Sequence, residues 1–284
     1  MDNDNVTLKK ERLIRLVRDA GSLLVAFSGG VDSSLLLAMA HEILGNDVVA
    51  ATAISDIYPV RENEAASKFT RERGIEHVVF GSEEMSLPAF VLNGLDRCYH
   101  CKKSLFQKLM QIAEGRGIER VAHGANVDDL EDYRPGLRAA GEMGIIAPLL
   151  DAGLRKQDIR FLCKEKGFPQ WDKPAMACLA TRIPYGSPIT TEKLKMIEAT
   201  EAFLFERGIR KCRVRHHGSV ARIEMVSREL GIIMRDDVRE AIVRKFREIG
   251  FLHIALDLEG YVSGSMNRVL DIESIERNNK AGGY

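Results

Sequence analysis

Residues 23–33 read LLVAFSGGVDS, a short apolar run that meets two adjacent glycines and continues into a helical spacing of apolar residues. A buried parallel strand is continuously apolar because both of its faces are covered. Glycines at its end allow the backbone to turn sharply. The stretch therefore predicts a strand at 23–27, a glycine loop at 28–33 and a helix at 32–44. Ligands of such sheets bind at the carboxyl ends of the strands, which is where this order places the loop.

The same alternation continues along the chain and predicts the architecture of the first domain. Further strands are predicted at 47–54, 77–80 and 120–123, and helices at 8–20, 59–73, 101–116 and 155–166. Strands and helices that alternate with short connections form a parallel sheet covered on both faces. We expect an α/β, doubly wound parallel sheet over residues 1–185.

The pattern changes after about residue 185. A helix is predicted at 190–207, followed by strands at 211–216 and 220–226, a helix at 235–249 and a strand at 253–258. This α-β-β-α-β order predicts a second, smaller α+β domain over residues 186–284.

Composition narrows the class of protein. The 41 basic and 41 acidic residues cancel, so the chain has no long-range field for nucleic acid. No apolar run approaches the length that crosses a bilayer, and the polar start lacks the features of a signal peptide. We expect a cytoplasmic protein without a membrane partner. Five cysteines are an odd number, which favours metal or catalytic roles over a disulfide framework.

The glycine loop carries nucleotide chemistry. It is not a Walker A loop, because no lysine follows the glycines. Gly29 and Gly30 let the backbone approach phosphate, and successive N–H groups form an anion nest at a helix N-terminus. Ser28 and Ser33 can donate hydroxyls, and Asp32 beside the phosphates suits Mg²⁺. The alternative is a Ser/Gly turn with Asp32 as N-cap. The placement between an apolar strand and an amphipathic helix favours ATP binding.

A second polar segment, GANVDD at 124–129, follows the strand at 120–123. It ends at the same edge of the sheet, so Asn126 and Asp128 are expected to meet the phosphates or Mg²⁺. An Asx-rich turn that caps the next helix is the alternative, above all for Asp129.

Three cysteines form a possible metal set. Cys98 and Cys101 make a CxxC motif, and Cys178 lies in a separate segment. Three thiolates can hold three irons of a [4Fe–4S] cluster and leave the fourth open to a ligand such as hydrosulfide. Zinc with His100 or water as fourth ligand, a redox pair and buried inert thiols remain alternatives. The other two cysteines, Cys163 and Cys212, fall on apolar faces and are expected in the core.

Four motifs together resemble one family. SGGVDS resembles the PP-loop of ATP pyrophosphatases, which cleave ATP between the α and β phosphates. With GANVDD, DYRPG at 132–136 and ACLATRIPYG at 177–186, the chain resembles the ATP-dependent sulfur transferases of nickel-pincer nucleotide cofactor synthesis, the LarE family. The likeness runs from about residue 10 to 272. It implies an adenine nucleotide alpha hydrolase-like PP-loop domain joined to a smaller sulfur-transfer domain, commonly in homo-oligomers.

The resemblance also implies a reaction. ATP adenylates a carboxylate of a pyridinium biscarboxylic acid mononucleotide, and sulfur then displaces AMP to give a thiocarboxylate. The family has two sulfur routes. In one, a single cysteine that matches Cys178 gives up its sulfur and becomes dehydroalanine. In the other, three cysteines bind a [4Fe–4S] cluster whose free iron carries sulfur from sulfide or another donor. Because Cys98 and Cys101 accompany Cys178, we favour the cluster.

Basic residues are candidates for substrate binding. Strand periodicity places Arg213 and Arg215 on one face, and three guanidiniums with Arg222 could clamp a phosphate or carboxylates. The alternative is a solvated polar face, and the resemblance favours the binding role. Arg134 and Arg182 lie beside the proposed site in the sequence and are expected to bind carboxylate or phosphate.

Three other functions share the ATP chemistry. A tRNA-thiolating PP-loop enzyme can also use three cysteines, but the zero net charge and the lack of zinc-ribbon cysteines argue against it. An ammonia-dependent amide ligase would not require the cysteines. A non-catalytic nucleotide sensor would bind ATP or AMP and release no pyrophosphate.

Overall fold

The computed structural model describes residues 3–131, 133–173, 177–262 and 264–269. These residues form two compact units. The first comprises described residues up to Glu84 together with those from Cys98 to 173, and the second comprises Met85–Arg97 together with the described residues from Ala177 onward. Each unit has its own sheet and its own hydrophobic core.

The bounds of the elements follow the chain order. The strands are β1 (Leu23–Ala26), β2 (Val48–Ile54), β3 (Glu76–Gly81), β4 (Arg120–Ala122), β5 (Cys212–His217), β6 (Val220–Met225) and β7 (His253–Leu256). The helices are α1 (Asn3–Asp19), α2 (Val31–Leu44), α3 (Val60–Glu72), α4 (Pro88–Val91), α5 (Arg97–Glu114), α6 (Pro135–Glu142), α7 (Pro148–Asp151), α8 (Lys156–Glu165), α9 (Thr191–Glu206), α10 (Leu230–Ile233) and α11 (Asp236–Ile249).

The first unit is built on a parallel sheet in the order β3-β2-β1-β4. Leu23 of β1 pairs with Val48 on one side and with Arg120 on the other. Because successive side chains of a strand point to opposite faces, β1 serves two cores. Val25 packs in the core that contains residues of α1, α2, α3 and α8, whereas Leu24 packs in the core that contains residues of α5 and α6. The predicted doubly wound α/β fold is confirmed.

The topology places two loops at one edge of this sheet. The glycine loop follows β1, and the segment from His123 onward follows β4, which is the parallel neighbour of β1. Both loops therefore leave the sheet at its carboxyl edge, where doubly wound folds bind their ligands.

The second unit is a mixed three-stranded sheet in the order β5-β6-β7, with β5 antiparallel and β7 parallel to β6. Helices α9 and α11 cover it through a core in which Leu204, Val214, Ile223 and Phe246 are at most 1% exposed. The predicted α-β-β-α-β order and α+β class are confirmed.

Local structure differs from the sequence prediction in three respects. Helix α5 begins at Arg97 instead of residue 101, since the Arg97 N–H bonds to the Gly94 carbonyl and its side chain is buried against Asn93. The helices α4, α6, α7 and α10 are too short for apolar periodicity to predict. Cys178 belongs to the second unit, although it precedes residue 185, where the sequence predicts the domain border. That border stays a prediction. Within the described ranges, none of the helices has the length and apolarity that crossing a membrane requires.

Candidate active site

The glycine loop forms a tight turn between β1 and α2. Gly29 has a φ of +70°, and a Cβ at this position would lie 3.3 Å from the Cβ of Ala66. Gly30 is the N-cap of α2, and the Ser33 hydroxyl donates to its carbonyl at 3.2 Å. The hydroxyls of Ser28 and Ser33 lie 3.2 Å apart. The turn leaves backbone N–H groups at the start of α2, which is the arrangement that binds phosphate.

The loop after β4 packs directly on this turn. A Cβ on Gly124 would lie 3.0 Å from the backbone nitrogen of Ser33, so the close approach requires glycine. This contact brings Asn126 to α2, where its Nδ2 donates to Oδ1 of Asp32 at 3.3 Å. The two polar segments that the sequence placed at one sheet edge therefore meet.

Asp128 lies in the same loop but is directed at α8. Its Oδ1 accepts from Nη1 of Arg155 at 2.8 Å, and its Oδ2 accepts from the backbone N–H of Lys156 at 2.6 Å. A carboxylate in this position satisfies an N–H group that the first turn of a helix leaves without an intrahelical partner. We expected Asp128 to meet the phosphates or Mg²⁺. Asp128 fixes the start of α8, and its contact with phosphate or Mg²⁺ stays a prediction.

Two lysines that the sequence analysis did not single out reach the glycine loop. Nζ of Lys156 contacts the Asp32 carboxylate, and Nζ of Lys173 donates to the Gly29 carbonyl at 3.2 Å and pairs with Glu62. They bring two ammonium groups to a loop that has no lysine of its own, and each ammonium is paired with a carboxylate, Asp32 or Glu62. Lys156 could have been found from the sequence, because it lies in the first turn of a helix that starts at the carboxyl edge of the sheet.

The CxxC motif lies within α5 and not before it. Cys98 and Cys101 are separated by three positions, so they share one helix face; Cys98 is half-buried and Cys101 is buried. The adjacent Lys102 packs so closely on α6 that a Cβ on Gly136 would lie 2.8 Å from its Cγ. Burial, together with the charge of Lys102, lowers the pKa of His123 to about 4. His123 is therefore neutral at pH 7.

The remaining cysteines are in the core, as predicted. Cys163 is fully buried in the first unit, and burial followed by the charge of Asp32 raises the pKa of its thiol to about 12. Cys212 is buried in the second unit beneath α9, and its thiol donates to the Ile209 carbonyl at 3.6 Å. The Cys163 thiol is therefore not ionised at neutral pH.

The predicted arginines of β5 lie on one face of the second sheet. Arg215 is buried; its Nη2 donates to Oε2 of Glu224 at 2.6 Å and its Nη1 to the Thr181 carbonyl at 3.1 Å. Arg213 is also buried and lies 5.3 Å from the ring centroid of Tyr261. Burial and the neighbouring charge of Arg182 lower the pKa of Arg213. The guanidinium of Arg222 shares Glu224 with Arg215.

The other two candidate arginines differ in exposure. Arg134 is half-exposed in the first unit and pairs with Asp129 at 3.1 Å, which leaves it accessible to a ligand. Arg182 is 2% exposed and pairs with Glu201. We expected Arg182 to bind carboxylate or phosphate. Burial turns its donors inward, toward Glu201 and the carbonyls of Ala177 and Cys178. Asp132 of the DYRPG motif lies outside the described residues.

The three cysteines of the metal prediction are divided between the two units. Cys98 and Cys101 belong to the first unit and Cys178 to the second. Within the described ranges, no three His, Cys, Asp or Glu side chains come together in a group that could hold a metal ion. The donor set suits iron or zinc chemically, since thiolates bind both.

Comparisons with known proteins identify the family. No protein-family model matches the chain. A pyridinium-3,5-bisthiocarboxylic acid mononucleotide synthase from Lactiplantibacillus plantarum is 35% identical over 92% of this chain and 95% of its own length. The chain belongs to this synthase family. Its membership confirms the predicted resemblance and makes the protein an ATP-dependent sulfurtransferase of the PP-loop class.

Other relatives support the assignment to the synthase family. An uncharacterized protein from Synechocystis is 40% identical over 92% of this chain and 98% of its own length. A tRNA-specific 2-thiouridylase from Rickettsia conorii is 27% identical over 58% of this chain and 54% of its own. The thiouridylase matches only part of the chain and supports the shared PP-loop fold.

Proposed function

We propose that the chain uses ATP to adenylate a carboxylate of pyridinium-3,5-biscarboxylic acid mononucleotide and then replaces AMP with sulfur. The product is a thiocarboxylate, the group named in the Lactiplantibacillus relative. A carboxylate is a poor acyl donor, whereas an acyl adenylate has a good leaving group that a sulfur nucleophile can displace. What supports the proposal most is the glycine loop with Asp32, Asn126 and two lysines at one sheet edge.

The first step is adenylation. A substrate carboxylate oxygen attacks the α-phosphorus of ATP and forms an O–P bond, while the bond to the bridging oxygen breaks and pyrophosphate leaves with the electron pair. The N–H groups at the start of α2 and the ammonium groups of Lys156 and Lys173 stabilise the negative charge that develops on the leaving pyrophosphate. Arg134, half-exposed in the same unit, is a further candidate for an anionic group.

Asp32 is the candidate ligand for Mg²⁺ in this step. Its carboxylate is 21% exposed at the first turn of α2, and carboxylate oxygens are ligands that Mg²⁺ prefers. Bound Mg²⁺ would neutralise part of the triphosphate charge. Asn126 orients Asp32 through the hydrogen bond from its amide.

The second step transfers sulfur. A sulfur nucleophile attacks the acyl carbon, a C–S bond forms, and the C–O bond to AMP breaks with the electron pair on AMP. We propose that Arg213 and Arg215 bind the anionic groups of the mononucleotide. The supporting observation is that three arginines, Arg213, Arg215 and Arg222, share this face of the sheet. Arg215 and Arg222 pair there with Glu224, and Arg222 also pairs with Asp257.

For the source of sulfur we propose a [4Fe–4S] cluster held by Cys98, Cys101 and Cys178. The donor type and the shared helix face of the first two cysteines support it. When bound, such a cluster supplies an iron that is free to carry sulfide. The alternative uses Cys178 alone: its thiolate attacks the acyl adenylate, and loss of the Cα proton then breaks the Cβ–S bond and leaves dehydroalanine.

Iron and mass measurements separate these two routes. Protein purified without oxygen is expected to be brown and to hold about four irons per chain, and the Cys98→Ala variant is expected to lose them. Protein that stays colourless and iron-free after reconstitution with iron and sulfide would contradict the cluster. A loss of the mass of H₂S at Cys178 after one turnover would then establish the sacrificial route.

Pyrophosphate release tests the substrate class. ATP with the pyridinium biscarboxylic acid mononucleotide is expected to release pyrophosphate, and ATP with tRNA or with ammonia and a simple acid is not. Release with tRNA, or tRNA carried through purification, would contradict the proposal. We also propose a homo-oligomer, which light scattering after gel filtration would check.

A further inference from the structure

The segment around Cys178 is held by several hydrogen bonds to two successive backbone carbonyls, those of Ala177 and Cys178. The Cys178 carbonyl accepts from the Thr181 N–H at 3.0 Å, from the Thr181 hydroxyl at 2.8 Å and from Nη1 of Arg182 at 2.9 Å. The carbonyl of Ala177 accepts from the same Nη1 at 2.7 Å. We call residues 177–182 the cysteine turn. Its backbone is fixed directly at the cysteine and not only at its ends.

Arg182 is anchored in turn by a buried acid. Its Nε and Nη2 donate to the two oxygens of Glu201 at 2.9 and 3.0 Å, and this fork geometry fixes the plane of the guanidinium. Oε1 of Glu201 also accepts from the backbone N–H of Val214 at 3.0 Å. A continuous set of bonds therefore runs from Cys178 through Arg182 and Glu201 to β5.

The charges of this pair are stable despite its burial. Burial alone opposes ionisation of both groups, but the ion pair outweighs it, so the pKa of Arg182 is raised and that of Glu201 is lowered. A buried ion pair is weak evidence for a contribution to stability, because desolvation offsets much of the attraction. Stability alone therefore does not explain why the chain buries this ion pair. The bond from Arg182 to the Cys178 carbonyl indicates that the pair positions the cysteine.

β5 is also the strand that carries the proposed substrate arginines. Val214, which donates to Glu201, lies between Arg213 and Arg215, and Nη1 of Arg215 donates to the Thr181 carbonyl of the cysteine turn at 3.1 Å. These bonds thus fix the backbone of the cysteine turn relative to the Arg215 guanidinium and to the strand from which Arg213 projects. A misplacement of about 1 Å between reacting groups can cost about 100-fold in rate.

We propose that Arg182 and Glu201 are a positioning pair that fixes Cys178 relative to Arg213 and Arg215 for the sulfur-transfer step. The inference rests on the proposed role of Cys178 in sulfur transfer. It assigns to Arg182 a role in orientation in place of direct contact with the substrate, and it adds Glu201 to the residues on which the reaction depends.

The test compares the two half-reactions in one turnover. The Arg182→Met/Glu201→Gln double variant removes both charges of the pair and keeps an acceptor for the Val214 N–H. Thr181→Val removes the hydroxyl that donates to the cysteine carbonyl and accepts from Nη1 of Arg182 at 3.0 Å. The exposed Arg235–Asp237 pair provides the matched control, Arg235→Met/Asp237→Asn. Pyrophosphate and thiocarboxylate are measured with the mononucleotide, and amide hydrogen exchange is measured over the cysteine turn.

A positioning role predicts that the two half-reactions separate. The double variant is expected to release pyrophosphate within about threefold of wild type while its thiocarboxylate yield falls about tenfold or more, with Thr181→Val intermediate. Exchange should rise in residues 177–182 and not in β6. Equal losses in both half-reactions, or unchanged exchange in the cysteine turn, would refute the pair's positioning role. Thiocarboxylate formed by Cys178→Ala would instead refute the role of Cys178, and the exchange result would still report on the pair.

Discussion

Nζ of Lys156 contacts Oδ2 of Asp32, although the two residues are 124 positions apart in the sequence. The contact joins the start of α8 to the start of α2 and brings a cation to a loop that has no lysine of its own. Asp128 fixes the backbone of Lys156 from the other side through its N–H group. The proposed phosphate site is therefore assembled from three segments of the first unit.

Replacing Lys156 tests this assembly. Lys156→Met removes a charge beside the leaving pyrophosphate, and substrate-dependent pyrophosphate release is expected to fall about 100-fold, the usual size for loss of one stabilising group. Lys166→Met is the control, because Lys166 pairs with Glu42 at the other end of α8. Activity of Lys156→Met within about threefold of the control would show that Lys156 does not contact the phosphates.

Gly29 is expected to be essential for a reason that Gly45 does not share. Both have positive φ, +70° and +60°, so alanine at either position is expected to cost about 1–2 kcal/mol of stability. Only Gly29 also faces a close neighbour, Ala66, whereas Gly45 has nothing within 4 Å of an added Cβ. Thermal unfolding should therefore shift similarly for the two alanine variants, while ATP-analogue affinity by calorimetry falls only for Gly29→Ala. Equal affinities would mean that the loop tolerates the displacement.

Gly124→Ala should separate the β4 loop from α2. The added Cβ would lie 3.0 Å from the backbone nitrogen of Ser33, which cannot move as a flexible side chain would. We expect weaker ATP-analogue binding together with a loss of about 1–3 kcal/mol of stability, as for overpacked sites. Gly231→Ala has open space and serves as the control. Unchanged binding in Gly124→Ala would argue against a role for the Asn126–Asp32 contact.

Stability is expected to fall on the acidic side because His123 is half-buried and neutral in the folded protein. Its pKa is about 4 in the folded protein against 6.5 for the exposed group, so the unfolded chain binds more protons between these values. Stability is full above pH 6.5 and falls as the pH drops, by about 3 kcal/mol at pH 4. His77, whose pKa burial also lowers, acts in the same direction.

Denaturant unfolding at several pH values checks the histidine effect. His123→Gln is expected to flatten the decline between pH 6.5 and 4, and His253→Gln, an exposed histidine, is not. An unchanged pH dependence in His123→Gln would place the titrating group elsewhere.

The features that could be predicted from the sequence are those that depend on patterns of neighbouring residues. The apolar run at 23–27 and the glycines after it were sufficient for the strand, the loop and the start of α2, and the polar segment after β4 was correctly expected at the same edge. The arginines of β5 were placed on one face by the period of a strand. These features depend on neighbours within a few residues.

What the sequence did not reveal depends on contacts between distant segments. Lys156 and Lys173 reach the glycine loop from more than 120 positions away. Arg182 was expected to face a ligand, and only the position of Glu201 on α9 shows why its guanidinium turns inward. Asp128 lies at the expected edge, and the sequence did not reveal that each of its oxygens accepts a hydrogen bond from the start of α8.

The most direct test of the account is mass spectrometry of the pyridinium biscarboxylic acid mononucleotide after incubation with ATP and the anaerobically purified protein. The account predicts that a product appears in which one carboxylate oxygen is replaced by sulfur, with AMP and pyrophosphate released in equal amounts, and that Cys178→Ala forms none. Recovery of the mononucleotide unchanged, with ATP intact, would contradict it.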